Sequence, residues 1–145
     1  MKQSVLETVT DLMPCVCVGG NEKFVLTGTF LLSAFNLIDK FGDIDILVVD
    51  SDKSFWSELL YKYEHDIIDK SMWYDGIKIQ IDGIVFNFIR DDIYSIETDS
   101  TNILLQDFVY LDSIQHALQA KHYLNRDKDK IHFVEINKRL SSLIR

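Results

Sequence analysis

The sequence predicts an α/β (α+β) protein built on one mixed β-sheet with helices packed on one face. Three observations carry that expectation. The stretch DIDILVVD, residues 43–50, packs Ile, Leu and Val into so few positions that it reads as a well-buried strand. GIKIQI-DG-IVFNFI, residues 76–89, is a pair of alternating strands joined by Asp82-Gly83, a dipeptide suited to a two-residue type I′ turn. Apolar residues recur at helical spacing before, between and after these strands.

Taken in order, Ser4 to Met13 reads as a short helix stopped near the single proline, Pro14, and Gly19-Gly20-Asn21 as a turn. Phe24 to Leu26 reads as a strand. From Thr29 the spacing turns helical, with Phe30, Ala34, Leu37 and Ile38 on one stripe and Thr27 or Thr29 able to cap it. Gly28 then stands at a strand-to-helix junction. A second helix is expected from about Asp52 to His65, where Phe55, Trp56, Leu59, Leu60 and Tyr63 share a face and Asp50, Ser51 or Asp52 supplies the cap. In the hairpin, a two-residue turn pairs Ile81 with Ile84, Gln80 with Val85, Ile79 with Phe86 and Lys78 with Asn87. Ile77, Ile79, Ile81, Ile84, Phe86 and Phe88 form its buried face, leaving Lys78 and Asn87 side by side on the other. Two helices close the chain, Ser113 to about Leu124 and Asp127 to about Ile144, separated by Asn125-Arg126.

A length of 145 residues, without repeats, low-complexity tracts or linkers, suits one domain over 1–145, with its sheet core at about 23–92 and its helices at 113–144. Apolar residues form 47% and charged residues 26% of the chain, which matches a packed soluble domain. No apolar run is long enough to span a bilayer and the start has no signal-peptide pattern, so a cytoplasmic location without membrane association is expected. The net charge of −8 repels a polyphosphate backbone, which disfavours extended nucleic-acid binding. The same excess suits a site that gathers carboxylates around divalent cations, and equally suits plain solubility. Cys15 and Cys17 cannot make a disulfide framework and lack the partners of a zinc site, so they read as buried thiols. His65, His116, His122 and His132 are scattered and receive no role.

The chemistry-bearing pair is Asp43 and Asp45. Two apart in a strand, they project from the same face roughly 7 Å apart, where they can chelate one or two Mg²⁺ ions. Upstream, Gly28 lets a phosphate approach the backbone, Thr29 offers a hydroxyl, and helix N-terminal amides favour an anion. Gly28-Thr29 ending a strand, residues 30–42 intervening, and then Asp-Ile-Asp-Ile opening an apolar strand together resemble the signature of the polymerase-beta-like nucleotidyltransferase superfamily. Thr29 stands where Ser is more usual, which keeps the hydroxyl. The stretch LDSIQHALQAKHYLNRDKDKIHFVEI, residues 111–136, looks like the C-terminal region of small members, which carries a Lys and later a Lys-Asp pair.

The resemblance implies a nucleoside triphosphate substrate held with Mg²⁺, catalytic positions at Asp43 and Asp45, and nucleotidyl transfer to an acceptor hydroxyl of a protein or small molecule. Gly28, Thr29, Lys78 and Lys121 are the residues expected to contact the nucleotide, Lys121 because it shares the helical stripe of Ile114, Ala117 and Leu118. The family's third carboxylate lies on a later strand, and in IVFNFI that position is Asn87. An amide carries no charge and cannot act as general base. The alternative implied is therefore a catalytically impaired relative that binds nucleotide or a protein partner, as in a toxin-antitoxin-like pair.

Overall fold

The computed structural model describes residues 21–96, 102–106 and 108–144. The readings over Ser4–Met13, Pro14, Cys15, Cys17 and Gly19-Gly20 lie outside these residues. Among the described residues the chain forms β1 (Lys23–Thr27), α1 (Gly28–Ala34), β2 (Ile44–Val49), α2 (Lys53–Lys62), β3 (Ile67–Met72), β4 (Gly76–Ile81), β5 (Ile84–Arg90), β6 (Ile103–Gln106), β7 (Val109–Leu111), α3 (Ile114–Leu124) and α4 (Asp127–Ile144). The strands make one mixed sheet in the order β3-β4-β5-β2-β1-β7-β6. Strand β2 runs antiparallel to β1 and parallel to β5, and β1 runs parallel to β7.

Alternation along the strands divides the sheet into two faces. Phe24, Leu26, Ile44, Ile46, Val48, Ile77, Ile79, Phe86 and Phe88 are buried on one, beneath Phe55, Trp56 and Leu59 of α2 and Phe30 of α1. Asp52 caps α2, its carboxylate accepting from the Phe55 N–H at 3.0 Å, and Trp56 donates its indole N–H to Ser51 Oγ at 3.1 Å. The opposite face carries a thinner apolar layer of Val25, Leu47 and Val49 with Ile89, Tyr94, Ile96 and Tyr110 against it. Beyond that layer, toward the end of β1 and the start of β2, the face turns polar.

The hairpin takes the expected register, Ile81 with Ile84 through Lys78 with Asn87. Asp82 and Gly83 both have positive φ, 52° and 79°, as a type I′ turn requires. Both C-terminal helices match the sequence reading, with Ser113 capping α3 and Asn125 ending it in the left-handed region.

The first helix differs from its expectation. It stops at Ala34, and Asn36 at φ 61° closes it: the Asn36 N–H bonds the Ser33 carbonyl at 3.0 Å and the Leu37 N–H the Leu32 carbonyl at 2.9 Å. This is a Schellman closure, for which Asn is a favoured residue after Gly. Leu37 and Ile38 follow the helix rather than extend its stripe, yet Ile38 is still buried, against Leu31, Leu32, Ala117 and Ile136. That cluster docks α3 and α4 on α1. Neither threonine caps α1 with its side chain; both oxygens are used elsewhere.

Three strands were not expected. β3 is an edge strand with five of six residues exposed and two register irregularities, and β6 and β7 are only four and three residues long. Short, charged or bulged edges do not show the period-two burial that identifies a strand.

Candidate functional site

The sheet register lines up a polar row at the end of the opposite face. Lys78 pairs Asn87 across β4 and β5, Asn87 pairs Asp45 across β5 and β2, and Asp45 pairs Thr27 across β2 and β1. Paired residues share a face, so these four side chains run side by side. Asp43 precedes β2 by one residue and its Oδ2 lies 3.4 Å from Lys78 Nζ, both side chains being about 40% exposed. Such a half-exposed pair is weak and readily exchanged for another ligand.

Asp45 is set deeper. Its Oδ1 accepts a hydrogen bond from Asn87 Nδ2 at 3.2 Å. Burial raises its pKa above the usual carboxylate value, the Asn87 bond opposes that shift, and the neighbouring Asp43 charge adds to it. Two like charges held together in a partly desolvated corner are a strained arrangement that a cation relieves.

Gly28, the first residue of α1, supports this corner. Its φ is +72°, and a Cβ at that position would stand 2.5 Å from Asp45 Oδ2, closer than any side-chain carbon tolerates. The glycine is therefore required twice, by its backbone conformation and by contact with the carboxylate. Thr29 Oγ1 accepts from the Gly42 N–H at 3.1 Å and so ties the start of α1 to the loop that delivers Asp43.

Helices α3 and α4 supply the facing wall. Lys121 is 4% exposed, and its Nζ bonds Asp129 Oδ1 at 2.8 Å and His132 Nδ1 at 2.7 Å. Arg126 Nε bonds Asp129 Oδ2 at 2.7 Å. Arg126, Lys121 and the Arg126 backbone N–H hold the Asp129 carboxyl well below the usual range, despite its burial. Burial and the adjacent Lys121 charge lower the His132 pKa, so that ring is a neutral acceptor for the lysine.

Between these walls lies a cleft of about 670 Å³. It is lined by Gly28, Thr29, Asp43, Asp45, Lys78, Asn87 and Lys121, and thus brings together every residue singled out from the sequence. Lys40, Arg126, Lys128, His116 and His132 line it as well. Among the described residues five cationic side chains accordingly line the cleft with two carboxylates, in a chain of net charge −8. Asp91 accepts from the Ile93 and Tyr94 N–H groups, and Asp92 pairs with Arg90 at 2.6 Å; neither lines the cleft.

Among the described residues no three His, Cys, Asp or Glu side chains cluster to hold a metal. Asp43 and Asp45 offer two hard oxygen ligands, which suit Mg²⁺ when a substrate's phosphates complete its shell. Their fit rests on the observed corner: a partly buried carboxylate with a raised pKa beside a second one, with Gly28 leaving room for the Asp45 side chain.

Asp112, Arg126, Lys128, Asp129 and His116 were missed as individual residues. The Lys-Asp pair in the quoted C-terminal stretch is Lys128-Asp129. Asp112 and His116 carried one sequence signal, an acid before an N-capping Ser with a His four residues on, a spacing that places both at the start of one helix.

No family model and no curated protein matches the chain. A crystal structure of a Thermotoga maritima protein, provisionally assigned as a nucleotidyltransferase, superposes with a TM-score of 0.54 over 99% of this chain and 95% of that chain, at 17% identity. The chain shares that protein's fold. In this fold the Gly28 junction and the Asp43/Asp45 strand start line the cleft. Among the described residues no helix is long and apolar enough to cross a membrane.

Proposed function

We propose that the cleft binds a nucleoside triphosphate with Mg²⁺ at Asp43 and Asp45 and transfers its nucleotidyl group to an acceptor hydroxyl. The observation that carries this reading is the polarity of the cleft. Two carboxylates on the sheet side face Lys121, Arg126 and Lys128 of the helical wall, with Lys78 beside Asp43 and Lys40 on the loop that leads to it. A triphosphate is the ligand whose charge satisfies both, giving oxygens to a shared cation and to the basic wall. Bound Mg²⁺ would neutralise phosphate charge and favour in-line displacement at the α-phosphorus. The chain's own residues prepare the site: Gly28 gives the Asp45 carboxylate room beside the backbone, and Lys121 has one N–H left beyond those on Asp129 and His132. The resemblance in the Gly28-Thr29 and Asp-Ile-Asp-Ile motifs supports placement among the polymerase-beta-like enzymes.

Calorimetric titration of ATP with and without Mg²⁺ tests the reading. Binding that requires Mg²⁺ is expected, and equal affinity in its absence contradicts the role of the acids.

A second reading, binding without transfer in a nucleotide-responsive or partner-binding module, is favoured by Asn87. It stands beside Asp45 where a third acid would complete the site, and bonds it instead. Pyrophosphate release from ATP separates the two. Asn87→Asp places a third carboxylate there and is expected to tighten Mg²⁺ dependence and raise transfer; a lowered rate would locate the third position elsewhere.

A further inference from the structure

The cleft needs a group that accepts the proton of an attacking hydroxyl. Asn87 cannot, His132 Nδ1 is engaged by the Lys121 ammonium, and Asp43 and Asp45 are committed to the cation in the reading above. The remaining imidazole at the cleft is His116.

Its setting is built by a buried carboxylate. Asp112 is 2% exposed and follows β7 directly. Oδ2 accepts from Thr27 Oγ1 at 2.6 Å and meets His116 Nδ1, while Oδ1 accepts from the Ser113 N–H at 2.8 Å and from the Tyr94 hydroxyl. A carboxylate only accepts, so Nδ1 carries a hydrogen, and in the neutral ring the lone pair is then on Nε2. Tyr94 packs edge-on to the ring at 4.9 Å and fixes its plane. The side chain is 40% exposed, at the cleft wall. Thr27, one of the Asp112 donors, is also the neighbour of Asp45 in the polar row, so the dyad joins the carboxylate corner through a single side chain.

We propose that His116, oriented by Asp112, is the proton acceptor for the hydroxyl that attacks the nucleotide. The proposal rests on the nucleotidyl-transfer reading. As the acceptor oxygen forms its bond to the α-phosphorus, its proton passes to His116 Nε2; the bond from that phosphorus to the bridging oxygen breaks, and pyrophosphate leaves with the electron pair. Asp112 stabilises the resulting imidazolium. The dyad thereby supplies the function that Asn87 lacks.

The test uses the full chain with Mg-ATP and two acceptors: glycerol, whose hydroxyl needs a base, and hydroxylamine, which attacks without one. His116→Gln is expected to bind Mg-ATP within twofold of the wild type by calorimetry. It should release pyrophosphate to glycerol about a hundredfold more slowly and to hydroxylamine at a nearly unchanged rate. Asp112→Asn donates an amide hydrogen to Nδ1, moves the ring hydrogen to Nε2, and should give the same split between acceptors. His116→Gln alone decides if that second variant misfolds. Equal rates with glycerol in wild type and His116→Gln, an equal fall with both acceptors, or a wild type that binds Mg-ATP but releases no pyrophosphate to either overturns the proposal while leaving the binding reading intact. Absence of Mg-ATP binding in the wild type overturns both.

Discussion

Gly28 shows how one residue fixes the site. The wild-type chain meets its left-handed φ without strain and leaves Asp45 room. Gly28→Ala adds a Cβ that clashes with that carboxylate and imposes an unfavourable backbone, at a combined cost of about 2–4 kcal/mol by urea denaturation. Asp45→Ala in the same chain should recover the packing part of that loss and not the backbone part. Asp45 itself predicts a pH signature. Its pKa is raised in the folded state by burial, so the neutral acid is the better-tolerated form. The associated stability is fully present below the unfolded value of about 3.9 and is lost as pH rises through the folded value. Without Mg²⁺, Asp45→Asn should therefore be more stable than the wild type near pH 7, with the gap closing below about pH 4 in paired thermal melts. A constant gap across that range would mean that Asp45 is not destabilised by its charge. Gly28, Asp43 and Asp45 were legible in the sequence because their chemistry is local: a strand end, a turn-permitting glycine and two acids on one side of a strand. His116 and Asp112 were not, because their meaning depends on Thr27 and Tyr94, brought to them only by folding.

At the scale of elements, the cleft exists because α3 and α4 are clamped to each other. The clamp is Asp129, whose side chain is fully buried and bonded to Arg126 and to the nearly buried Lys121. Asp129→Ala strands the Lys121 charge, and the expected loss is about 3–5 kcal/mol in chemical denaturation. The pH dependence has the opposite sign to that of Asp45. The Asp129 pKa is lowered on folding, so its stabilisation is complete above about pH 4 and is lost as pH falls from there through the folded value. Acid titration followed by circular dichroism should show helix loss at low pH in the wild type and a flatter curve in Asp129→Asn. An identical acid limb in both would place the acid sensitivity elsewhere. The hairpin and the C-terminal helices were readable because Asp82-Gly83, Ser113 and Asn125 are strong local signals. The end of α1 was misplaced because the apolar stripe continues through Leu37 and Ile38 while Asn36 closes the backbone. β3, β6 and β7 escaped because edge strands owe their structure to a neighbour rather than to their own pattern.

For the whole molecule, the decisive feature is a basic-walled cleft with an acidic floor in an acidic protein. Net charge of −8 repels polyanions at long range, so the five cations must act at short range, inside the cleft. That favours a compact anion accompanied by a divalent cation over a long nucleic-acid chain. The motif read from residues 28–45 falls on the lining of that cleft. The most direct measurement is calorimetry of Mg-ATP with the wild type and with Asp43→Asn/Asp45→Asn. Removing two adjacent like charges should leave the fold intact, as circular dichroism would register. Binding to the wild type and loss of the Mg²⁺-dependent affinity in the double variant is the predicted result; equal affinity in the two, with Mg²⁺ present, would contradict the assignment of Asp43 and Asp45.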